Sequence, residues 1–370
     1  MKISIVGSGM VGSTTALRLL EDRTASSLVL VDVVEGLARA VALDLCQSAP
    51  LRGHTIEITG GSDYGPTEGS DLVVITAGVP RKPGQSRADL LGTNAEIVAG
   101  VAEQVARRSP SAVVIVVSNP LDEMTTLTWK VTGFPAERVV GMAGELDTSR
   151  YRYFVAEATG VHPTEVDAIV LGSHGETMVP LPRLTTVRGR PLSEILTAEQ
   201  IGEIVERTRN GGAEIVQLLP RGSAWMAPSA SIADMVAAIV RDEGRVVPAC
   251  AYLQGEYGVS GVYLGVPVRL GRRGVVEIVD LGLTSEEMAL LHRAAETVRT
   301  RTALLDELVG DVRSGDEPAG NAAEPDPLQA LRTESRIRRA VTQVLWERGS
   351  ADPEEVEELT RKVMERIAGR

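Results

Sequence analysis

His174 stands between glycines in the stretch LGSHGETMVP, directly after an apolar run. Histidine is the side chain that titrates nearest neutral pH, so it suits proton transfer. In GELDTSRYR, Asp147 and Arg150 are three residues apart, which puts them on one face if the segment is helical. A carboxylate and a guanidinium so placed are either a surface ion pair or part of a site, and a lone histidine is more often structural. The residues alone leave both readings open. Asn119, in VVSNPLD, falls just past an apolar run, where open α/β sheets bind ligands. The stretch AGVPRKPGQSR (77–87) packs Arg81, Lys82 and Arg87 among two prolines and two glycines, in a chain of formal net charge −12. It reads as a solvated turn or as a lid that grips an anion. No spacing of His, Cys or carboxylates suggests a metal, and none is expected.

The elements that must carry these residues are legible as patterns. The runs ISIVG (3–7), LVLVD (28–32), TIEITG (55–60), DLVVITAG (71–78) and AVVIVVSNP (112–120) read as strands buried on both faces of a parallel sheet. Helical patterns over 10–22, 35–47 and 89–108 separate several of them. This alternation predicts a doubly wound α/β domain. GSGMVG places Gly7, Gly9 and Gly12 in a G-x-G-x-x-G pattern between a strand and a helix, and Asp32 ends the next strand. Such a turn admits a pyrophosphate at the helix N-terminus, and an acidic residue at that distance accepts hydrogen bonds from ribose hydroxyls. Asp32 would repel a 2′-phosphate, so the expected cofactor is NAD rather than NADP.

A second half of α+β character follows, with strands expected in DAIVLGS, VYLGVPVRLG and VVEIVDLG and a helix from Ser285 to Val309. Thr284 and Glu287 occupy capping-box positions before that helix, and Gly310 is its stop. The expected organisation is a Rossmann domain over 1–141, an α+β substrate domain over 142–310 lying beside it, a flexible linker over 311–326 and a helical extension over 327–370. The linker is poor in large apolar residues and rich in Pro, Gly and acidic groups. The extension shows two amphipathic stripes: Leu331, Ile337, Val341, Val344 and Leu345, then Val356, Leu359, Val363 and Ile367 behind Asp352 and Pro353. Such short helices need each other or another surface, so a neighbouring subunit or another protein is an expected partner. Two cysteines and no apolar run of spanning length point to the cytoplasm, with no membrane partner. The acidic balance argues against nucleic acid.

These motifs, in this order, resemble the lactate/malate dehydrogenase superfamily and, within it, the malate enzymes. GMAGELDTSRYR is similar to the family's Asp-x-x-Arg motif, GSHGETMVP to its catalytic-histidine motif, and GSAWMAPSAS to its substrate-side helix. The resemblance runs from residue 3 to about 310 and implies reversible oxidation of (S)-malate to oxaloacetate by a homo-oligomer, a dimer or tetramer. It implies His174 as acid and base, oriented by Asp147, with Arg150 on the substrate carboxylate, Asn119 on its hydroxyl and Arg87 on the reacting carbonyl. Arg81 holds the place where malate enzymes carry arginine and lactate enzymes typically glutamine. Facing a second carboxylate it is satisfied, whereas facing a methyl group it is desolvated without a partner. Cofactor contacts are further expected from Ser8, Met10, Val11, Thr76, Ala77, Gly78, Asn94, Val117, Ser118 and Asn119. The sequence departs from the family pattern at Gln85, Glu145, Glu176 and AWMAP (224–228). The rival expectations are a lactate or other 2-hydroxy-acid dehydrogenase, an idle NAD sensor, and an enzyme whose tail is an interaction module.

Overall fold

The apolar runs of the first half fold as the periodicity requires. Strands β1 (Lys2–Val6), β2 (Ser27–Val31), β3 (Glu57–Gly61), β4 (Leu72–Ile75), β5 (Val113–Val116) and β6 (Val139–Gly141) pair in parallel in the order 3-2-1-4-5-6. Ile5 faces Leu30 on one side and Val74 on the other, and all three are buried, so neither face of the sheet's centre meets water. The crossovers carry α1 (Met10–Glu21), α2 (Glu35–Arg52), α3 (Arg87–Arg108) and α4 (Leu121–Thr132). This is the doubly wound arrangement that the alternation predicts. The computed structural model describes residues 1–79, 87–219, 222–309 and 357–363, with the side chains of 35, 87–90 and 306–309 left aside. Arg81, Lys82, Gln85, Gly310, the linker over 311–326 and most of the extension thus lie outside the described residues.

In the second half, α5 (Gly144–Thr159) leads to β7 (Val166–Asp167), β8 (Val170–Gly172) and β9 (Met178–Pro180). Then come β10 (Thr186–Val187), β11 (Arg190–Pro191), α6 (Ala198–Leu218) and α7 (Met226–Val240). The unit closes with β12 (Val246–Gln254), β13 (Ser260–Gly271), β14 (Gly274–Ile278) and α8 (Ser285–Val309). These strands do not form a sheet lying beside the first. β12 pairs antiparallel with β6 through Cys250 and Gly141, and the sheet runs on through β13, β8 and β9. The core is shared accordingly, since Ile3 and Leu30 belong to one buried cluster with Ile232, Leu264 and Val298. Met1–Gly310 pack as one unit, separate from Asp311–Arg370, in which residues 357–363 are helical.

Three further differences from expectation have local causes. DAIVLGS divides, because β7 joins a small sheet with β10 and β11 whereas β8 joins the large one. α2 runs beyond 47 to Arg52, with Pro50 in its last turn and Gly53 closing it at φ 68°. A proline there has no donor for the carbonyl four residues back and its ring crowds that oxygen, which suits a helix about to end. The strand expected over 55–60 begins at Glu57 and ends at Gly61. The capping box of α8 forms as expected: Thr284 N–H donates to Glu287 at 2.8 Å, and Glu287 N–H to Thr284 Oγ1 at 3.2 Å.

Two contacts position the second half for function. Arg18 on α1 donates from Nε to Ser229 Oγ at 2.9 Å, tying the glycine-turn helix to the start of α7. Gly265 on β13 faces Gly172 on β8, where a Cβ would stand 2.3 Å from the Gly172 carbonyl oxygen. Only glycine permits that approach, and it fixes the end of β8 just before His174.

Glu145, in the first turn of α5, is half-buried near the Asp234–Arg245 ion pair of 2.8 Å. Burial, and then the Asp234 charge, push its carboxyl up to about 7, against the opposing pull of Arg245 and Arg152. A carboxyl raised in the folded state is carried neutral at low pH and weakens the fold as pH rises from about 4.5 through 7. Glu145→Gln should therefore leave the melting temperature little changed at pH 5 and raise it by about 2–4 °C at pH 8, roughly 1 kcal/mol. Equal shifts at both pH values would refute this origin.

Candidate active site

The glycine turn is built for a close ligand. Gly7 has φ 103°, and a Cβ there would stand 2.7 Å from Ala77 N and from Thr76 Oγ1. Thr76 Oγ1 in turn donates to the Gly7 carbonyl at 2.8 Å. At Gly12 a Cβ would be 1.9 Å from the Gly7 carbonyl oxygen, so α1 packs on the turn only because that residue has no side chain. Around the Cβ position of Gly9, by contrast, the space is open to 4 Å. Gly9 is the N-cap of α1 and offers no capping side chain, which leaves the first-turn N–H groups at Met10, Val11 and Gly12 directed at that space. Ser8 Oγ is buried with no hydrogen-bond partner among the described residues. Open space, free helix donors and an orphaned hydroxyl fit a phosphate-bearing cofactor.

Asp32 closes the other side of this cradle. Its Oδ2 accepts from Ser8 N–H at 2.7 Å and its Oδ1 from Val34 N–H at 2.9 Å. Each oxygen keeps a lone pair for a ribose hydroxyl. Ser118 donates to the Ala77 carbonyl, and Val117 N–H to the Ile75 carbonyl at 2.9 Å, so the ends of β4 and β5 are locked together. Asn94 is buried and spends its amide on the backbone: Oδ1 accepts from Val79 N–H at 2.8 Å and Nδ2 donates to the Asn119 carbonyl at 2.6 Å. It braces the chain at Gly78 and Val79 against Asn119, whose own residue is exposed.

Three residues after Asn119, the start of α4 reaches the second cluster. Asp147 is 2% exposed and lies between two partners. Its Oδ2 is 2.8 Å from His174 Nδ1, and its Oδ1 accepts from Arg150 Nη1 at 3.3 Å. An ionised carboxylate only accepts, so the proton on that side of the ring belongs to Nδ1 and Nε2 is the position where a proton comes and goes. Burial would push the His174 imidazolium down. The Asp147 carboxylate, by charge and by hydrogen bond and with help from Asp122, outweighs burial and the repulsion of Arg150, so the net shift is upward from 6.5. His174 N–H donates to Asp122 Oδ2 at 3.0 Å. The structure thus brings His174, Asp147 and Arg150 together. Arg87 begins α3, but its side chain and all of Arg81 lie outside the described residues.

Two features had no sequence signal read as functional. Gly211 and Gly212 lie inside α6, where each glycine costs about 1 kcal/mol relative to alanine. Arg150 lies against both, tightly at Gly211 and in ordinary contact at Gly212. A Cβ at Gly211 would be 3.3 Å from Arg150 Cδ, and one at Gly212 would be 3.5 Å from Nη2. The pair makes a flat bed for the guanidinium. Arg150 Nε is buried and unpaired among the described residues, so this arginine is held by packing and by Asp147 alone. The second is Asp122, readable in VVSNPLD only as a residue in the first turn of a helix.

A glycine cradle at the carboxyl ends of a parallel sheet, beside an imidazole held by a buried carboxylate, defines an NAD-dependent oxidoreductase. Residues 1–141 match the family model of the lactate/malate dehydrogenase NAD binding domain, and residues 144–307 match that of the alpha/beta C-terminal domain. The chain belongs to the lactate/malate dehydrogenase family. It is 52% identical over 307 residues to a malate dehydrogenase from Thermomicrobium roseum, covering 83% of this chain and 99% of the relative. The solved malate dehydrogenase of Salinibacter ruber superposes with a TM-score of 0.80 at 45% identity, over 84% of this chain and 99% of that one. A lactate dehydrogenase from Cryptosporidium parvum, solved with lactic acid and β-nicotinamide adenine dinucleotide, gives the same TM-score of 0.80 at 41% identity, over 82% and 98% of the two chains. Backbone shape therefore does not separate the two activities.

The bed under Arg150 is open to test. Gly212→Val would push branched methyls into the guanidinium and should raise KM for the 2-keto acid between about tenfold and a hundredfold. Gly202→Val, at a position of α6 with open space to 4 Å, should leave KM unchanged. Equal effects of the two would mean that α6, and not the bed, is what matters.

Proposed function

We propose that the chain is an NAD-dependent malate dehydrogenase that interconverts (S)-malate and oxaloacetate. The His174–Asp147–Arg150 cluster, with the imidazole 2.8 Å from a buried carboxylate, supports the oxidation of a 2-hydroxy acid, and the 52% identity to a malate dehydrogenase over 83% of the chain carries the choice of malate. Bound cofactor supplies or accepts the hydride at the substrate carbon. His174 gives its Nε2 proton to the carbonyl oxygen in reduction and takes it from the hydroxyl in oxidation. Asp147 keeps the proton on Nδ1 and stabilises the imidazolium. Arg150 grips the carboxylate that every 2-keto acid has, in a two-pronged geometry lysine cannot copy. Asn119 holds the hydroxyl, Arg87 polarises the carbonyl, and Arg81 meets the second carboxylate. The cofactor lies on Gly7, Gly9 and Gly12 with its ribose on Asp32. We place the enzyme in the cytoplasm, in keeping with the free thiols of Cys46 and Cys250.

Rates in the two directions test this. Oxaloacetate reduction needs His174 charged and should fall as pH rises through its pKa, which lies above 6.5. Malate oxidation needs it neutral and should rise over the same interval. His174→Asn should abolish turnover and leave NADH binding intact. Arg81→Gln should lower kcat/KM for oxaloacetate by a few powers of ten and raise pyruvate relative to it. An oxaloacetate-to-pyruvate ratio that moves less than about threefold would remove Arg81 as the selector and return the lactate reading.

Self-association is the further part of the proposal. Leu43 and Leu51 on α2 and Leu218 on α6 are 60%, 89% and 80% exposed, which suits burial against a second copy. The extension beyond Gly310 is read as reaching a neighbouring subunit or another protein. Truncation after Gly310 should change the number of chains per assembly, or lose a captured partner, while malate turnover persists. Lost turnover in a folded truncation would place the extension at the active site instead.

A further inference from the structure

Asp122 is a deeply buried acid beside the proton-transfer centre that the mechanism above does not use. It is 2% exposed, in the first turn of α4, and both of its oxygens are engaged. Oδ2 accepts from the His174 main-chain N–H at 3.0 Å, and Oδ1 accepts from the Cys250 thiol at 3.2 Å. Its contacts therefore join three elements: α4, the loop after β8, and β12. A carboxyl in such a place would ordinarily be replaced by an apolar residue, because removing a charge from water costs several kcal/mol.

We propose that Asp122 is a positioning residue for the reaction, an ionised carboxylate that fixes the main chain of His174 and adds its charge to that of Asp147 in favour of the imidazolium. The division of labour follows from the two hydrogen bonds. Asp147 holds the ring at Nδ1, and Asp122 holds the backbone from which the ring swings. An imidazole tied at one point can still pivot, whereas one tied at both ends keeps Nε2 in a fixed place. Proton transfer is sensitive to displacements of this kind.

Glu123 lies beside Asp122 on α4, and its carboxylate is 3.9 Å from Arg301 of α8. Asp147 and Arg150 face the cluster from α5, His174 from the loop after β8 and the Cys250 thiol from β12. Burial pushes the Asp122 carboxyl up, as does the charge of Asp147, while the Cys250 and His174 donors and the His174 charge pull it down. Burial pushes Glu123 up to about 7, followed by the charge of Asp122, with Arg301 and His174 opposing. The Cys250 thiol is pushed up by burial and then by the Asp122 charge, so it stays protonated and remains a donor. The N-terminus of α4 also favours negative charge in its first turn. Asp122 is thus the one of the two α4 carboxylates that has donors on both oxygens.

This inference rests on His174 as the proton carrier, so the test includes a readout that needs no turnover. The chain has four histidines, and the imidazole C–H resonance of His174 is assigned by its loss in His174→Asn. Asp122→Asn keeps an acceptor for the His174 N–H and removes the charge. The NMR titration midpoint of His174 should fall by about one unit, and oxaloacetate reduction near pH 7 should drop about tenfold with KM for NADH unchanged. Asp122→Ala removes the acceptor as well and should cost kcat about tenfold more. Cys250→Ala leaves Asp122 and His174 in place, withdraws a donor that helps to keep Asp122 ionised, and should move the midpoint downward. If the midpoint in Asp122→Asn stays within about 0.2 unit of the native value, the proposal is overturned. If neither Asp122 variant folds, an unmoved or raised midpoint in Cys250→Ala overturns it. A shifted midpoint with unaltered turnover would leave the charge effect standing and fault the reading of His174 instead.

Discussion

The site depends on one buried charge. Asp147 is almost completely withdrawn from water, which no carboxylate tolerates without partners. Its partners are the two groups to which the proposed reaction falls, an imidazole on one oxygen and a guanidinium on the other. The same bonds that stabilise the buried carboxylate thus set the tautomer of the ring and the direction of the arginine. α5 puts Asp147 and Arg150 one helical turn apart, and the tight approach of β8 to β13 delivers the histidine from the other side. Removing either partner would leave the carboxylate short of compensation, so fold and chemistry are secured by one set of contacts.

The segment from Asn119 to Asp122 joins this centre to the cofactor cradle. Asn94 holds its first residue by the carbonyl, and its last holds the His174 backbone. The chain at Val79 and the His174 backbone are therefore joined through one short stretch at the entrance to α4. The glycine turn follows β1 and Asn119 follows β5, both at the carboxyl ends of the parallel strands, where a sheet that reverses its winding direction takes its ligands.

Much of this was legible in the sequence where the cause is local. Strand and helix periods, the glycine signature with Asp32, the capping box of Thr284 and Glu287, and the spacing of Asp147 and Arg150 all depend on neighbours within a few residues. What was not legible depends on partners far along the chain. Nothing in VVPACAYLQ says that it will continue the sheet begun by ISIVG, because the pairing of Cys250 with Gly141 is decided by the whole core. Gly211 and Gly212 read as weak points of a helix until Arg150 is laid across them. Asp122 reads as an ordinary first-turn acid until burial and two donors give it a reason to be there.

The single sheet has a consequence for how the chain is made. β6 is the last strand of the parallel series, and β12, which covers its open edge, begins about a hundred residues later. At ribosomal speeds of roughly 5–20 residues per second, that edge waits on the order of ten seconds for its partner. During this interval the nascent first half presents unpaired backbone groups beside buried-type side chains such as Val139 and Val140. The shortness of β6, only three residues, limits what a stray strand could grip in the meantime. A brief edge is thus a safeguard in time as well as a seam in space.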